Sequence, residues 1–226
     1  MPSSKSKVSR KSFSKFKLDD AYQALNLKRL LPWEILADNL LPSPVFEIFS
    51  QRLQQNFDLK RTEEGKKLII DLLFMEAIAP FPNLKIWKGG RLESDIATGA
   101  ADYLVTENIA YIATPMLCVV EAKKDDFEQG LAQCLMEMNA CQWTNRRSNH
   151  NSDRSSDRKE NESLEETIDI LGIVTNGEGW QFYKLTSDNQ LYETQLYTLK
   201  NLPEVLGTLN FIFSLCSENL MRALSK

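Results

Sequence analysis

The chain has 226 residues, of which 42% are hydrophobic and 26% are charged, and its formal net charge is -4. This composition is sufficient for one domain with a buried core and appendages, and it argues against two large domains. No stretch approaches the ~18 to 20 uninterrupted apolar residues of a membrane-spanning helix, and the polar, basic N-terminus lacks the apolar segment of a signal peptide. We therefore expect a cytoplasmic protein without a membrane partner.

The cysteines of the chain form no CxxC pair, and a single histidine accompanies them. Neither a zinc site nor a disulfide framework is therefore expected, and buried free thiols are the better interpretation. The histidine, His150, falls in a polar segment where a catalytic role is not expected.

Positive charge is concentrated at the N-terminus. Residues 1–17 contain six lysines and arginines and no acid, which leaves 21 basic and 31 acidic residues for the rest of the chain. A segment rich in Ser and Lys predicts a disordered basic tail over residues 1–17. Such a tail either attracts nucleic-acid phosphates in a salt-dependent way or serves only to keep the protein in solution. Composition alone leaves both roles open.

Residues 18–226 are predicted to form a single domain, which begins with a helical extension over residues 18–60. Several prolines break this extension into short pieces. A longer helix follows, capped by Thr62, and it carries two acids, Asp71 and Glu76.

The remainder alternates between strands and helices, which predicts an α/β domain with a mixed central sheet flanked by helices. Apolar runs between turn signals predict strands at about 84–88, 100–106, 116–122, 167–175, 179–185 and 191–198. Helical periodicity predicts a helix over about 126–143 and an amphipathic helix at the C-terminus. Residues 145–163 contain no hydrophobic residue and are predicted to form a disordered loop insertion within the domain.

Asp102 and Glu121 are the most informative residues, because each falls in a predicted strand and Glu121 follows the apolar run of its strand. Side chains alternate along a strand, so Glu121 and Lys123 point the same way. If the two strands are neighbours, two carboxylates and an amine converge. Such a group can hold a hard divalent cation and position a water molecule, so the pattern favours metal-dependent hydrolysis.

The features occur in a definite order: a helix with an acid, a strand with Asp102, a strand ending in Glu121-Ala122-Lys123, and a helix with Gln133. This order, over residues 62 to 199, resembles the PD-(D/E)xK nuclease superfamily, which has the restriction-endonuclease-like fold. The chain is most similar to the N-terminal nuclease domain of type I restriction-enzyme motor subunits and its standalone relatives. The further match is in Gly130-Leu131-Ala132-Gln133, Thr175-Asn176-Gly177 and Trp180-Gln181-Phe182.

The resemblance implies a nuclease, dependent on Mg2+ or Mn2+, that hydrolyses phosphodiester bonds of DNA in a restriction or defence role. It implies that Asp102 and Glu121 bind the metal, with the backbone carbonyl of Ala122 as a further ligand. Glu76 would approach the same ion from the preceding helix, directly or through water.

The resemblance also assigns roles to Lys123 and Gln133. Lys123 would orient the attacking water or stabilise the transition state, and Gln133 would complete the site. Gln129 lies one helical turn earlier and is the weaker alternative to Gln133. Asp71 remains an alternative to Glu76, because neither helix phase nor spacing excludes it.

The sequence departs from the family pattern at two points. Ala101 stands where the superfamily has its name-giving proline, a change that leaves the carboxylate of Asp102 available. No GxxxxGK[ST] motif occurs, so we do not expect a complete type I motor subunit. Trp180 and Phe182 alternate along a strand and are expected in the core, rather than as platforms for stacked bases.

Two other functions compete with an active nuclease. One is a nuclease-derived module that binds nucleic acid or acts as a scaffold without catalysis. The other is an ordinary α/β protein whose acids are structural. The acidic body argues against tight unaided binding to a duplex, so the basic tail, a second copy of the chain or a separate protein partner is expected to supply phosphate affinity. The pattern does not decide between DNA and RNA.

Overall fold

The computed structural model of this chain describes residues 10–123, 126–152 and 168–225, and for residues 149–152 it describes the backbone alone. The strands in these ranges are β1 (Lys11–Ser12), β2 (Leu30–Pro32), β3 (Leu84–Glu93), β4 (Ala97–Glu107), β5 (Cys118–Ala122), β6 (Ile170–Thr175), β7 (Gly179–Leu185), β8 (Leu191–Glu193) and β9 (Tyr197–Thr198). The α-helices are α1 (Leu18–Ala24), α2 (Pro44–Asn56), α3 (Glu63–Ile78), α4 (Phe127–Ser152) and α5 (Leu202–Leu224). Each helix among the described residues is too short or too polar to span a lipid bilayer.

The strands form one mixed sheet, as the alternation of elements predicts. β4 pairs antiparallel with both β3 and β5, β5 pairs parallel with β6, and β6 pairs antiparallel with β7. β8 and β9 both pair antiparallel with β7. The short strands β1 and β2 add parallel pairs to β4 and β8. The mixed α/β class is therefore confirmed.

Helices cover both faces of the sheet, and each face has its own hydrophobic core. One core joins α2, α3 and α5 to the sheet and contains Trp180 and Phe182, which are fully buried as expected. The other core joins α1 and α4 to the opposite face. The cysteines of the described residues are free and buried, also as expected.

The helix that precedes the central strands starts where its sequence predicts. The Thr62 hydroxyl accepts a hydrogen bond of 3.0 Å from the Gly65 backbone N–H, which caps α3. A Cβ at Gly65 would collide with the carbonyl oxygen of Asp58, so glycine is needed where the preceding loop crosses the helix. The extension over 18–60 is only partly helical, since β2 interrupts it and joins the sheet edge.

The prediction of a disordered tail over residues 1–17 is wrong for residues 10–17, because this segment packs onto the domain. β1 pairs with the start of β4, and Phe13 is buried over Gly99, where a Cβ would collide with the ring. Arg10 pairs with Glu93 at 2.7 Å. Two aromatic residues in the segment supply apolar area that a count of its charges overlooks. Residues 1–9 lie outside the described residues.

The predicted loop over 145–163 is also wrong in its first part, because α4 continues to Ser152. The side chain of Asn145 accepts from the Met116 N–H at 2.8 Å and donates to the Met116 carbonyl at 2.9 Å. Arg147 lies over the Trp143 ring, 4.4 Å from its centroid. These contacts compensate for the absence of apolar residues. Residues 153–163 lie outside the described residues.

We predict that Phe13→Ala lowers the free energy of unfolding by about 3 kcal/mol, since it leaves a cavity between β4 and the N-terminal segment. Urea denaturation monitored by tryptophan fluorescence measures the change. Lys15→Ala, at an exposed position of the same segment, is the control and should stay within about 0.5 kcal/mol of the wild type. Equal unfolding midpoints for the two variants would contradict the packing of this segment.

Candidate functional site

Asp102 lies where the pairing of β4 with β5 ends. Tyr103 opposite Val120 is the last pair of that ladder, and the next pair would place Asp102 opposite Glu121. Instead, Asp102 Oδ2 accepts a hydrogen bond of 2.8 Å from the Ala122 backbone N–H. A side-chain carboxylate thus takes the place of a ladder carbonyl and holds the end of β5 against the middle of β4.

Glu121 points from β5 toward α4 and is almost fully buried, with 1% of its surface exposed. Its Oε1 lies 2.6 Å from the Lys123 Nζ, and its Oε2 accepts a hydrogen bond of 2.9 Å from the Gln133 Nε2. Three predicted site residues, Glu121, Lys123 and Gln133, are therefore in direct contact, and Asp102 is joined to them through the Ala122 backbone. We call Asp102, Glu121, Lys123 and Gln133 the strand-end cluster, because they lie at the end of β5.

The alternative glutamine does not reach the cluster. The Gln129 side chain donates instead to the carbonyl oxygens of Ser14 and Phe16, at 3.3 and 3.1 Å. It therefore fastens the N-terminal segment to the start of α4. Of the two glutamines, the geometry favours Gln133.

Glu76 is not brought to the cluster, so the expectation that it joins Asp102 is not met. Its two carboxylate oxygens accept from the Ser43 backbone N–H at 2.6 Å and from the Ser43 hydroxyl at 2.9 Å. Glu76 therefore supports the N-terminal cap of α2. The reason is position along α3, because Lys67 is the residue facing Asp102 and Glu76 lies roughly 13 Å further along the helix axis. Asp71, the other alternative, bonds Tyr103 Oη at 2.8 Å and Lys88.

The N-terminal end of α3 supplies residues that the motif did not indicate. The Lys67 Nζ lies 3.0 Å from Asp102 Oδ1 and 2.9 Å from Glu63 Oε1. The spacing of Glu63 and Lys67 predicts an ordinary i,i+4 pair on a helix surface. Nothing in the sequence shows that the pair faces Asp102 on β4.

Glu137 is a second residue that the motif did not indicate. It lies one helical turn after Gln133, is fully buried, and accepts from the Gln133 Nε2 at 3.1 Å through Oε1. The sequence contains a signal for Glu137, because it is the only charged residue in the stretch 131–138. The structure shows that this whole stretch is buried. A glutamate inside such a stretch needs a polar partner.

The pKa values of the two buried carboxylates, Glu121 and Glu137, are shifted strongly upward. Burial, followed by the charge of Asp102, raises the pKa of Glu121 to about 7, although Lys123 opposes the shift. Burial and the charge of Glu121 raise the pKa of Glu137 well above its usual range. Burial lowers the pKa of Lys123, but its bond to Glu121 and the nearby acids outweigh this effect, so the net shift is upward. Clusters of perturbed groups of this kind are typical of functional sites.

The donor set of the cluster suits a hard divalent cation in chemistry, since carboxylate and carbonyl oxygens are its preferred ligands. Two buried oxygens, Gln133 Oε1 and Glu137 Oε2, also lack a hydrogen-bond partner. However, both oxygens of Asp102 and both of Glu121 already contact a donor of the chain. Within the described ranges, no group of three or more His, Cys, Asp or Glu residues is arranged to hold a metal ion.

The turn between β6 and β7 anchors the other side of Lys123. The Lys123 backbone N–H donates to the Thr175 carbonyl at 2.9 Å, and the Thr175 hydroxyl accepts from the Gly177 N–H at 3.0 Å. Gly177 has a φ of 86°, which glycine adopts without strain. The turn fixes where β5 ends.

Close packing of α4 also positions the lysine. A Cβ at Gly130 would lie 2.7 Å from Val174 Cγ1 and 3.2 Å from Lys123 Cγ. The first turn of α4 therefore rests directly on β6 and on the aliphatic stem of Lys123. Only glycine permits this approach.

A cleft of about 840 Å3 opens beside the same turn. Phe57, Phe127 and Leu196 supply apolar walls, and Lys60 and Lys200 also line it. The carboxylates of the strand-end cluster do not line the cleft. We therefore place any chemistry at the cluster, where the ionisable groups converge, rather than in the cleft.

No protein-family model matches this sequence, and no curated protein matches it with significance. The features of the chain that bear on function are therefore the geometry of the cluster and the order of the motifs.

We predict that Glu121→Gln stabilises the protein relative to the wild type increasingly as pH rises. Folding raises the pKa of Glu121 from 4.5 to about 7. Its contribution to stability is therefore fully present below about pH 4.5 and is lost as pH rises through about 7. The variant lacks this loss, so its stability gain should grow by about 3 kcal/mol between pH 4.5 and 8. Urea unfolding across this range measures the gap, and parallel stability curves would contradict the shift.

Proposed function

We propose that this protein is a metal-dependent nuclease of the PD-(D/E)xK superfamily, with the restriction-endonuclease-like version of the mixed α/β fold. The observation that carries the proposal is the strand-end cluster. Glu121 contacts Lys123 and Gln133 directly, and the Asp102 carboxylate from the antiparallel neighbour β4 bonds the backbone N–H of Ala122, the residue between Glu121 and Lys123. The order β3, β4, β5, α4, β6 supports the fold assignment, because the motif residues fall on consecutive elements around β5.

Asp102, Glu121 and the backbone carbonyl of Ala122 are the residues that would hold Mg2+ or Mn2+. When bound, the ion would neutralise charge on the scissile phosphate and lower the pKa of an attacking water. Glu76 takes no part, because Ser43 occupies both of its carboxylate oxygens.

The chain's own residues prepare the site. Lys123 keeps its ammonium 2.6 Å from Glu121, where it can orient a water or stabilise negative charge on a phosphoryl oxygen. Gln133 bonds both Glu121 and Glu137 and so fixes the rotamer of the Glu121 carboxylate. These bonds hold the reacting groups in place before substrate arrives, which is how such sites reduce the cost of reorganisation.

DNA is the proposed substrate, and restriction or defence is the proposed role, both by the resemblance of the motifs. The body of the chain is acidic, and the basic residues Arg10 and Lys11 are paired with Glu93 and Asp20. Phosphate affinity is therefore assigned to a protein partner, to a second copy of the chain, or to basic residues outside these pairs.

A second candidate function is a nuclease-derived module that binds nucleic acid or acts as a scaffold without turnover. One observation favours it: every oxygen of Asp102 and Glu121 already has a donor from the chain. The two carboxylates are therefore each paired with an ammonium of the chain, Lys67 for Asp102 and Lys123 for Glu121, without a metal. Isothermal titration with millimolar Mg2+ and Mn2+ separates the two functions, since only the nuclease requires binding.

We predict that purified protein with Mg2+ or Mn2+ degrades DNA, and that Asp102→Ala and Lys123→Ala each reduce the rate by about 100-fold or more. Gel-based cleavage of single- and double-stranded DNA and RNA measures the rate and identifies the substrate. Circular dichroism confirms that the variants fold.

Glu76→Gln is the matched control for these variants. It changes an acid that belonged to the predicted motif but that lies against Ser43, so cleavage should continue at close to the wild-type rate. Cleavage that persists in both Asp102→Ala and Lys123→Ala would rule out the nuclease assignment.

A further inference from the structure

Lys67 occupies an unusual position for a helix-surface lysine. Only 15% of its side chain is exposed, and its ammonium contacts carboxylates from two elements. Asp102 Oδ1 lies 3.0 Å away on β4, Glu63 Oε1 lies 2.9 Å away on the same helix, and Glu64 Oε1 lies 3.8 Å away. A cation belonging to the chain therefore sits among three acids at the edge of the strand-end cluster.

The Lys67 ammonium occupies the position from which another cation would bind Asp102. Asp102 Oδ2 is committed to the Ala122 N–H, which leaves Oδ1 as the oxygen that an ion could use. A divalent ion binds oxygen at about 2.0 to 2.6 Å, and two positive charges that close to one oxygen repel each other strongly. The Lys67 ammonium and a metal ion cannot both use Oδ1 in the same direction.

Other carboxylates can accept the Lys67 ammonium if it leaves Asp102. Glu63 and Glu64 precede it by four and three residues on α3, so both remain within reach of its ammonium when it leaves Asp102. Their side chains are 48% and 86% exposed, so the move would bring the ammonium closer to solvent. The helix therefore provides alternative partners that do not depend on β4.

We propose that Lys67 is a resident counter-cation that competes with divalent metal for Asp102 and thereby sets the metal affinity of the site. Metal binding moves its ammonium from Asp102 Oδ1 onto Glu63 and Glu64. Lys67 is thus a positioning residue that acts through Asp102. The inference rests on the proposed function for the existence of a metal site, but it concerns metal affinity in the absence of substrate.

The test is Mn2+ binding to the full chain without nucleic acid, measured by isothermal titration. Lys67→Met keeps the length of the side chain and removes the charge, so Mn2+ should bind roughly tenfold more tightly than in the wild type. Lys67→Arg keeps the charge and should not show this gain. Lys88→Met is the matched control, because it removes a lysine from another acid of α3, Asp71, and should leave the affinity unchanged.

A second measurement on the wild type does not depend on the folding of any variant. Lysine acetylation by acetic anhydride, read by mass spectrometry, reports the accessibility of each ammonium. Saturating Mg2+ should increase the labelling of Lys67 severalfold relative to Lys88, whose contacts with Asp71 are not disturbed. Unchanged labelling of Lys67 at a metal concentration that saturates the site would overturn the proposal.

The outcomes separate this inference from the nuclease assignment. Metal-dependent cleavage that needs Asp102, together with equal Mn2+ affinity in Lys67→Met and the wild type, overturns the role of Lys67 alone. Mn2+ binding to Lys67→Met but not to the wild type supports the role of Lys67 and favours the inactive module. Absence of Mn2+ binding in both proteins overturns both.

Discussion

The candidate site depends on one hydrogen bond, from the Ala122 backbone N–H to the Asp102 carboxylate. It forms where the ladder between β4 and β5 ends, so it keeps the two strands together after their backbone pairing stops. With the end of β5 fixed to β4, Glu121 is directed beneath α4, and Lys123 leaves the sheet beside it. Asp102 thus has two roles. Its Oδ2 joins the two strands, and its Oδ1, which contacts Lys67, is the oxygen that could instead bind a metal ion.

Burial and charge act against each other around this clasp. Glu121 and Glu137 are two acids in the interior, and burial raises the pKa of both. The charge of Glu121 raises the pKa of Glu137 further, whereas the hydrogen bond of Glu137 lowers the pKa of Glu121. The arrangement persists because Gln133 donates to both carboxylates and Lys123 adds a positive charge. An interior that keeps acids together at such a cost is less stable than an apolar one would be. The fold therefore keeps this group of ionisable side chains at the expense of stability.

The sequence predicts the parts of the site that strand geometry controls, and it fails where tertiary packing decides. Alternation along β5 places Glu121 and Lys123 together, and the strand order brings in Asp102, as predicted. The choice of Glu76 is wrong because a helix of 16 residues presents acids at several phases, and only the docking of α3 selects Lys67 to face the sheet. Likewise, two phenylalanines fix a segment whose charges predict disorder.

Gly130 shows how a position without a functional group can belong to the site. A single methyl group there would press on Val174 and on the stem of Lys123, so α4 would have to lift away from the sheet. Gln133 lies about one turn later on α4, so Gln133 would move away from the sheet together with the helix. The helix is therefore a spacer whose distance from the sheet is set by the absence of a side chain. Gly130 thus sets the distance between Gln133 and the residues of β5, although it has no functional group of its own.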